Sequence, residues 1–468
     1  MLNNIKNSPN YRWYVLATVA VGTFMATLDS SIVNVALPTL SVQLNSTLST
    51  LQWVVTAYLL TITSLLPVFG RLSDLVGRKK VFALGFLVFI FGSALCGLAQ
   101  NIWCLVGTRI LQAIGAAMIM SNSAAIITAI FPPRERGKAL GLTGTVVALG
   151  SLTGPALGGI LIGLAGWRSI FYINIPIGLI GFAAVFLILP IDVPSKDKES
   201  FDFLGALTFT FGMILVLLGI TNGGGWGWSS VPVLMSLVIG MASLVLFVQT
   251  ERTVKHPMID LSLFRNRPFL IGNLSGGLSF VAMFANTMIL PFYLQGVLNY
   301  QPAQVGMILM IFPIVMAVVA PISGHASDKF GPMILTTSGL VITGLGLLYF
   351  STLSPTSNFY QIIPGSMLMG LGAGMFQSPN NSSVMSSVPP QKLGIAGGIN
   401  SLVRNLGMVI GIAWSVSIFE ALGGVATPKL GQIYMFMSAY HAVMLVAMVI
   451  AFVAAVISYN RKSYAKAN

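Results

Sequence analysis

Asp29 stands in the stretch FMATLDSSIVNVALP, residues 24–38, among apolar and small hydroxyl neighbours and with no basic residue close by in sequence. A carboxylate in such surroundings is costly unless it is paired or needed. Arg109 is the matching oddity, a guanidinium in the apolar run that follows Ile102, and Arg404 is a second one in the run 393–420. A buried acid held between desolvation and an opposite charge can change protonation when its surroundings change. That is the chemistry of proton coupling. The same two groups could also serve as a static brace between helices.

The elements that position these groups follow from composition. The chain has 468 residues, 55% of them hydrophobic and only 7% charged. Its mean hydropathy is +0.87. A soluble domain carries about 25% charged residues, so this chain belongs in lipid. Fourteen apolar segments come near spanning length, at 13–37, 53–70, 81–99, 102–130, 138–164, 168–190, 203–221, 231–249, 269–296, 303–324, 332–352, 359–384, 393–420 and 434–458. With the N-terminus in the cytoplasm, Arg168 and Lys429 fall outside and Arg109 and Arg404 within helices. The other twenty of the 24 Lys and Arg fall on the cytoplasmic side. This positive-inside bias accounts for the net charge of +13, leaving no basic face for nucleic acid. The expected setting is a cell (inner or plasma) membrane, with both termini cytoplasmic.

Depth connects the charged groups. Asp29 lies roughly 24 Å above the start of the first helix, and Arg109 roughly 10 Å below the start of the fourth, at 1.5 Å per residue. In a core about 30 Å thick they share a level. Arg404 lies roughly 16 Å from the inner edge, nearer the midplane; substrate gating and hydrogen bonding to helix carbonyls are both open to it. Glu420 sits near a helix end, where water can reach it. Cys96 and Cys104 read as packing residues.

The chain repeats itself. PVFGRLSDLVGRKK begins at Pro67 and PISGHASDKFGPMI at Pro321. Gly70, Asp74 and Gly77 return as Gly324, Asp328 and Gly331 at an offset of 254, on the same side of the membrane. Two halves in parallel orientation characterise some secondary transporters. The expected organisation is a six-helix bundle over 1–190, two additional helices over 191–268 and a second six-helix bundle over 269–468. In the loops, glycine permits close turns and Asp74 can accept from Arg78, which serves equally as a turn and as a conformational latch. The offset carries Asp29 to Met283 and Arg109 to Ile363, so coupling is expected in the first half alone. In the fifth helix, Gly150, Gly154 and Gly158 recur every four residues and Pro155 interrupts the ladder. Such a helix packs closely and bends, as a seam between rocking halves would need.

LDSSIVNVALP, GRLSDLVGRKK, LVGTRILQAIGAA and GSLTGPALGG together resemble the major facilitator superfamily, and within it the fourteen-helix drug/proton antiporters of EmrB/QacA type. The resemblance spans nearly the whole chain. It implies that Arg109 takes part in proton transfer and Asp29 in coupling, and that Gly154, Pro155 and Gly158 belong to the antiporter helix. Pro332, where the repeat of Arg78 would stand, implies a weaker latch in the second half. Some relatives of this type carry extra acids in the tenth or thirteenth helix for dicationic drugs; the tenth segment here has none and Glu420 in the thirteenth is a loose match, which counts against dication export.

The substrate cavity is expected between the halves near the midplane. Its candidate lining is Tyr58, Gln112, Asn122, Asn286, Tyr293, Gln295, Phe376, Gln377, Asn380, Arg404 and Trp414. One acid among apolar walls would suit neutral or monocationic amphiphiles. The expected function is proton-coupled export of small lipophilic or cationic compounds by alternating access, with a dedicated carrier of one metabolite, such as a vitamin or sugar, as the alternative. Partners are then the small molecule, protons and the bilayer, with a periplasmic adaptor in the case of a double-membrane bacterium. No cofactor or metal is expected, since the energy source is the proton gradient. His256, His325 and His441 are scattered, and no G-x-x-x-x-G-K-[ST] loop occurs, so neither catalysis nor ATP-driven pumping is expected.

Overall fold

A computed structural model describes Ser8 and residues 10–190, 202–254, 260–389 and 392–461. Six of the basic residues behind the topology (Lys6, Lys196, Lys198, Lys255, Lys462 and Lys466) and His256 lie outside them, as does the side chain of Asp328. The helices are α1 (Tyr11–Gln43), α2 (Leu48–Val76), α3 (Arg78–Leu98), α4 (Ile102–Ile130), α5 (Pro133–Ala165), α6 (Asn174–Ile188), α7 (Phe203–Trp226), α8 (Val231–Thr253), α9 (Arg267–Phe292), α10 (Pro302–Phe330), α11 (Pro332–Phe350), α12 (Phe359–Ser386), α13 (Leu393–Ala421) and α14 (Ile433–Tyr459).

Among the described residues, twelve helices are long and apolar enough to cross a membrane, not the fourteen expected from the sequence. The difference lies in α5 and α12. Among the described residues the apolar stretch of α5 is the shorter Leu149–Ala165. α12 is diluted by Gln361, Gln377, Asn380 and Asn381. Large apolar side chains such as Phe91, Leu164, Phe186, Val238 and Ile322 are exposed, so the chain is a multi-pass membrane protein with a lipid-facing exterior.

Helix pairing repeats along the chain. In the first part α1 packs on α5, α2 on α4, α3 on α4 and α6; in the second part α9 packs on α13, α10 on α12, and α11 on α12 and α14. The parts meet through α5 against α10 and α2 against α13, again a matched pair. α7 packs on α2 and α13, and α8 lies against α7. The repeated loops share one backbone device. Gly77 (φ 109°) and Gly331 (φ 80°) adopt the left-handed region that L side chains avoid. Each amide donates to the carbonyl four residues back, Ser73 and Ser327, whose hydroxyls donate to Gly70 and Gly324. The first loop has an addition: Arg78 donates to Asp74 at 3.0 Å and to the Ala125 carbonyl of α4 at 3.3 Å. Pro332 has no such donor.

The glycine stripe of α5 faces a different neighbour from the one expected. A Cβ at Gly150 would meet Thr27, and one at Gly154 or Gly158 would meet Ile32, so the stripe lets α5 touch α1 within its own half. The seam to α10 lies on another face of α5, where a Cβ at Gly159 would meet the Pro302 carbonyl at 2.6 Å and one at Gly306 the Pro155 carbonyl at 2.5 Å.

Candidate functional site

Asp29 is fully buried on α1 and Arg109 fully buried on α4, and the guanidinium Nη1 donates to Asp29 Oδ2 at 2.5 Å. The level shared by the two helices has become a contact. Burying both charges is tolerable because they are paired with each other and further hydrogen-bonded. Arg109 also donates to the Val54 carbonyl of α2 at 3.1 Å and to Gln112 Oε1 at 2.7 Å. Asp29 Oδ1 accepts from the amides of Gln112 and Asn174, each at 2.8 Å. Gln112 in turn donates to Ser93 at 2.7 Å. Three helices, α1, α4 and α6, thus meet at one carboxylate, and α2 and α3 join the network through Val54 and Ser93. Gly92 makes room for this, since a Cβ there would lie 2.6 Å from the Gln112 backbone.

The pair is close to, but not on, a central cavity of about 220 Å³. Tyr58 stands between them: it lines the cavity, and Arg109 Cζ lies 4.0 Å from its ring centroid. The cavity is built by both halves in register. Ala26 and Phe280, Ser30 and Phe284, Tyr58 and Phe312, Ile62 and Met316, and Ser151 and Asn405 all line it and are all related by the offset of 254. The first half supplies much of the hydroxyl wall and the second the aromatic and methionine wall. Met283, the repeat of Asp29, is on the second wall.

Of the predicted lining residues, Tyr58, Asn286, Gln377 and Arg404 are on the cavity. Phe376 and Asn380 line a smaller side pocket of about 40 Å³, which shares Gln377 and Arg404 with it. The others are elsewhere, because polarity within a helix does not say which way a side chain points. Gln112 belongs to the Asp29 network. Asn122 is fully buried and donates to the Met118 carbonyl of its own helix. Tyr293 donates to the Ser354 carbonyl at 2.7 Å and stacks on Tyr440. Gln295 donates to the Val35 carbonyl of α1 at 3.1 Å. Trp414 is half-buried against the core. The expectation of one acid on the cavity wall is also corrected: Asp29 is not on it, and the charged residue that lines it is Arg404. Cys96 is buried, but Cys104 is exposed rather than packed.

Sequence reasoning missed Asn174 and Ser93, whose signal was a polar side chain in an otherwise apolar run. It also missed the contact of Glu420, which accepts from the Ser49 amide at 2.8 Å, at the N-terminus of α2. This bond and those of Gln295 join the two halves at one end of the molecule. The loops at Gly77 and Gly331 are at the other.

The protein class that this fold and site define is a membrane transporter of two pseudo-symmetric helical halves around a central cavity. The family model of the Major Facilitator Superfamily matches residues 19–412, and the chain belongs to that superfamily. It is 39% identical over 411 residues to the riboflavin transporter RibZ of Clostridioides difficile (strain 630), covering 87% of this chain and 88% of that one. It is 33% identical to the multidrug resistance protein Stp of Mycobacterium tuberculosis (strain CDC 1551 / Oshkosh), over 87% of this chain and 75% of that protein. Among solved structures, a bacterial homolog of the human lysosomal transporter Spinster, in an inward-facing and unoccupied conformation, matches with a TM-score of 0.70. The match covers 97% of both chains at 16% identity, a likeness of fold.

Proposed function

We propose that the protein exports small lipophilic compounds across a cell membrane by alternating access, driven by protons that enter at Asp29. The observation that carries this reading is the buried Asp29–Arg109 ion pair, separated from the cavity by the Tyr58 ring. A proton taken up by Asp29 forms a neutral carboxylic acid and leaves Arg109 without its counter-charge. The guanidinium keeps the Val54 carbonyl and Gln112 Oε1 as acceptors and shifts toward them. Tyr58, stacked under it, moves with it and changes the cavity wall. Proton and substrate then act on one helix cluster from opposite sides of one ring.

The Lys and Arg distribution makes the end joined by Gln295 and Glu420 the outer one. The cavity then opens inward, and both termini are cytoplasmic. The test is transport in proteoliposomes under an imposed pH gradient. Asp29→Asn, which keeps the shape but removes the charge and replaces one acceptor oxygen with a donor amide, is expected to abolish gradient-driven accumulation while leaving substrate exchange without a gradient intact. Accumulation by Asp29→Asn equal to wild type would sink the coupling role.

A second reading has its own support. The 39% identity to a protein named as a riboflavin transporter favours a dedicated carrier of one metabolite. Competition by a panel of chemically unrelated lipophiles separates the two: a polyspecific exporter is inhibited by many of them, a dedicated carrier by close analogues of one compound.

A further inference from the structure

Arg404 is the converse of Arg109. Both guanidiniums are within the helical bundle, yet Arg109 has three protein acceptors and Arg404 makes no hydrogen bond or ion pair among the described residues. Its Nε is sealed from solvent and has no acceptor. Its neighbour Asn405 is 3% exposed, and its Nδ2 is likewise without a protein partner. Both residues line the central cavity. Gln377, on the same wall, donates only to the Met283 sulfur at 4.0 Å, a weak acceptor. Three side chains with hydrogen-bond donors, one of them charged, therefore line a cavity whose lining contains no carboxylate, with Arg404 Nε and Asn405 Nδ2 sealed behind its surface. Leaving such donors unmet is costly in a low-dielectric interior. No counterpart exists in the first half, where the offset places Gly150.

We propose that Arg404, Asn405 and Gln377 form an anchoring subsite for the acidic head group, such as a carboxylate, of an amphiphilic substrate whose apolar body lies against the second-half wall. The guanidinium fork matches a carboxylate in shape and charge. Phe280, Phe284, Phe312, Met316 and Met408 supply the wall for the body, with methionines that adapt to varied shapes. The amide-rich side pocket, lined by Asn380, Asn381 and Asn400 and shared with Arg404, leaves room for substituents beside the head. A cationic head would meet the fixed positive charge with no acid to offset it. The substrate class is thus acidic amphiphiles, in place of the cations expected from the sequence. The proposal rests on the cavity being the transport site, as proposed above.

The test is equilibrium binding to the purified full chain in nanodiscs at neutral pH, with no proton gradient. Three probes share one body: naphthalene-2-carboxylate, naphthalene-2-carboxamide and 2-naphthylmethylammonium. The carboxylate is expected to bind roughly tenfold tighter than the ammonium, the scale of one charge-assisted hydrogen bond. Arg404→Gln should erase that preference while leaving carboxamide binding within about threefold. Arg404→Lys, which keeps the charge but loses the fork, should retain part of it, and Asn405→Ala should weaken the carboxylate more than the ammonium. Equal or tighter ammonium binding by wild type, a preference that survives both Arg404→Gln and Asn405→Ala, or binding of none of the probes overturns the proposal. The coupling role stands apart: Asp29→Asn is expected to keep the carboxylate preference, and a failure of that variant to lose coupling leaves the subsite intact.

Discussion

At the scale of single residues, Asp29 and Arg109 show what burial requires of charge. Each is without solvent contact, and the pair and its direct partners come from four helices, α1, α2, α4 and α6. Removing one partner leaves the other uncompensated, which costs about 3–5 kcal/mol in buried pairs, whereas removing both is close to neutral. Arg109→Gln is therefore expected to lower the thermal stability of the purified protein sharply, and Asp29→Asn combined with Arg109→Gln to recover most of the loss. Equal stability of Arg109→Gln and wild type would show that the pair is not energetically coupled. Much of this was legible in the sequence, because a fixed rise per residue converts position into depth. Gln112, Asn174 and Ser93 were not, because a neutral amide or hydroxyl in an apolar run looks the same whether it faces a cavity or a carboxylate.

At the scale of elements, α5 does two jobs on two faces. Gly150, Gly154 and Gly158 bring it against α1 beside Asp29, while Pro155 and Gly159 meet α10 across the seam. Substitutions on the two faces should differ in kind. Gly154→Val is expected to destabilise the first half by about 1–3 kcal/mol through overpacking against Ser31 and Ile32, seen as a lower melting temperature. Gly159→Val, which wedges α5 from the Pro302 carbonyl, should leave the melting temperature nearer wild type and disturb transport rates instead. The reverse ranking would mean that the stripe carries the seam. A spacing of four residues showed that α5 has a smooth face; it could not show which neighbour lies on it.

At the scale of the whole molecule, the halves are joined at one end by Gln295 on the Val35 carbonyl and by Glu420 on the Ser49 amide. The Glu420 carboxylate satisfies an N-terminal amide of α2 and complements its dipole. Glu420→Ala should weaken this end and shift the population toward a state in which it opens. Spin labels at the exposed positions Val42 and Leu422, in a chain with Cys96 and Cys104 replaced by Ser, report that shift. A longer-distance population is expected to grow in Glu420→Ala, and an unchanged distribution would show that the contact does not hold the end closed.

The sequence by itself determined that the chain lives in lipid, that it repeats at an offset of 254, and that Asp29 and Arg109 share a level. These are properties of composition and of one coordinate, the distance along a helix axis. Only the tertiary structure decided which helices pair across the seam, that Asp29 is behind the cavity wall, and that Arg404 is on it. Rotation about each helix axis and the choice of neighbour are set by packing between segments far apart in sequence, and the sign of the cavity's charge depends on that rotation.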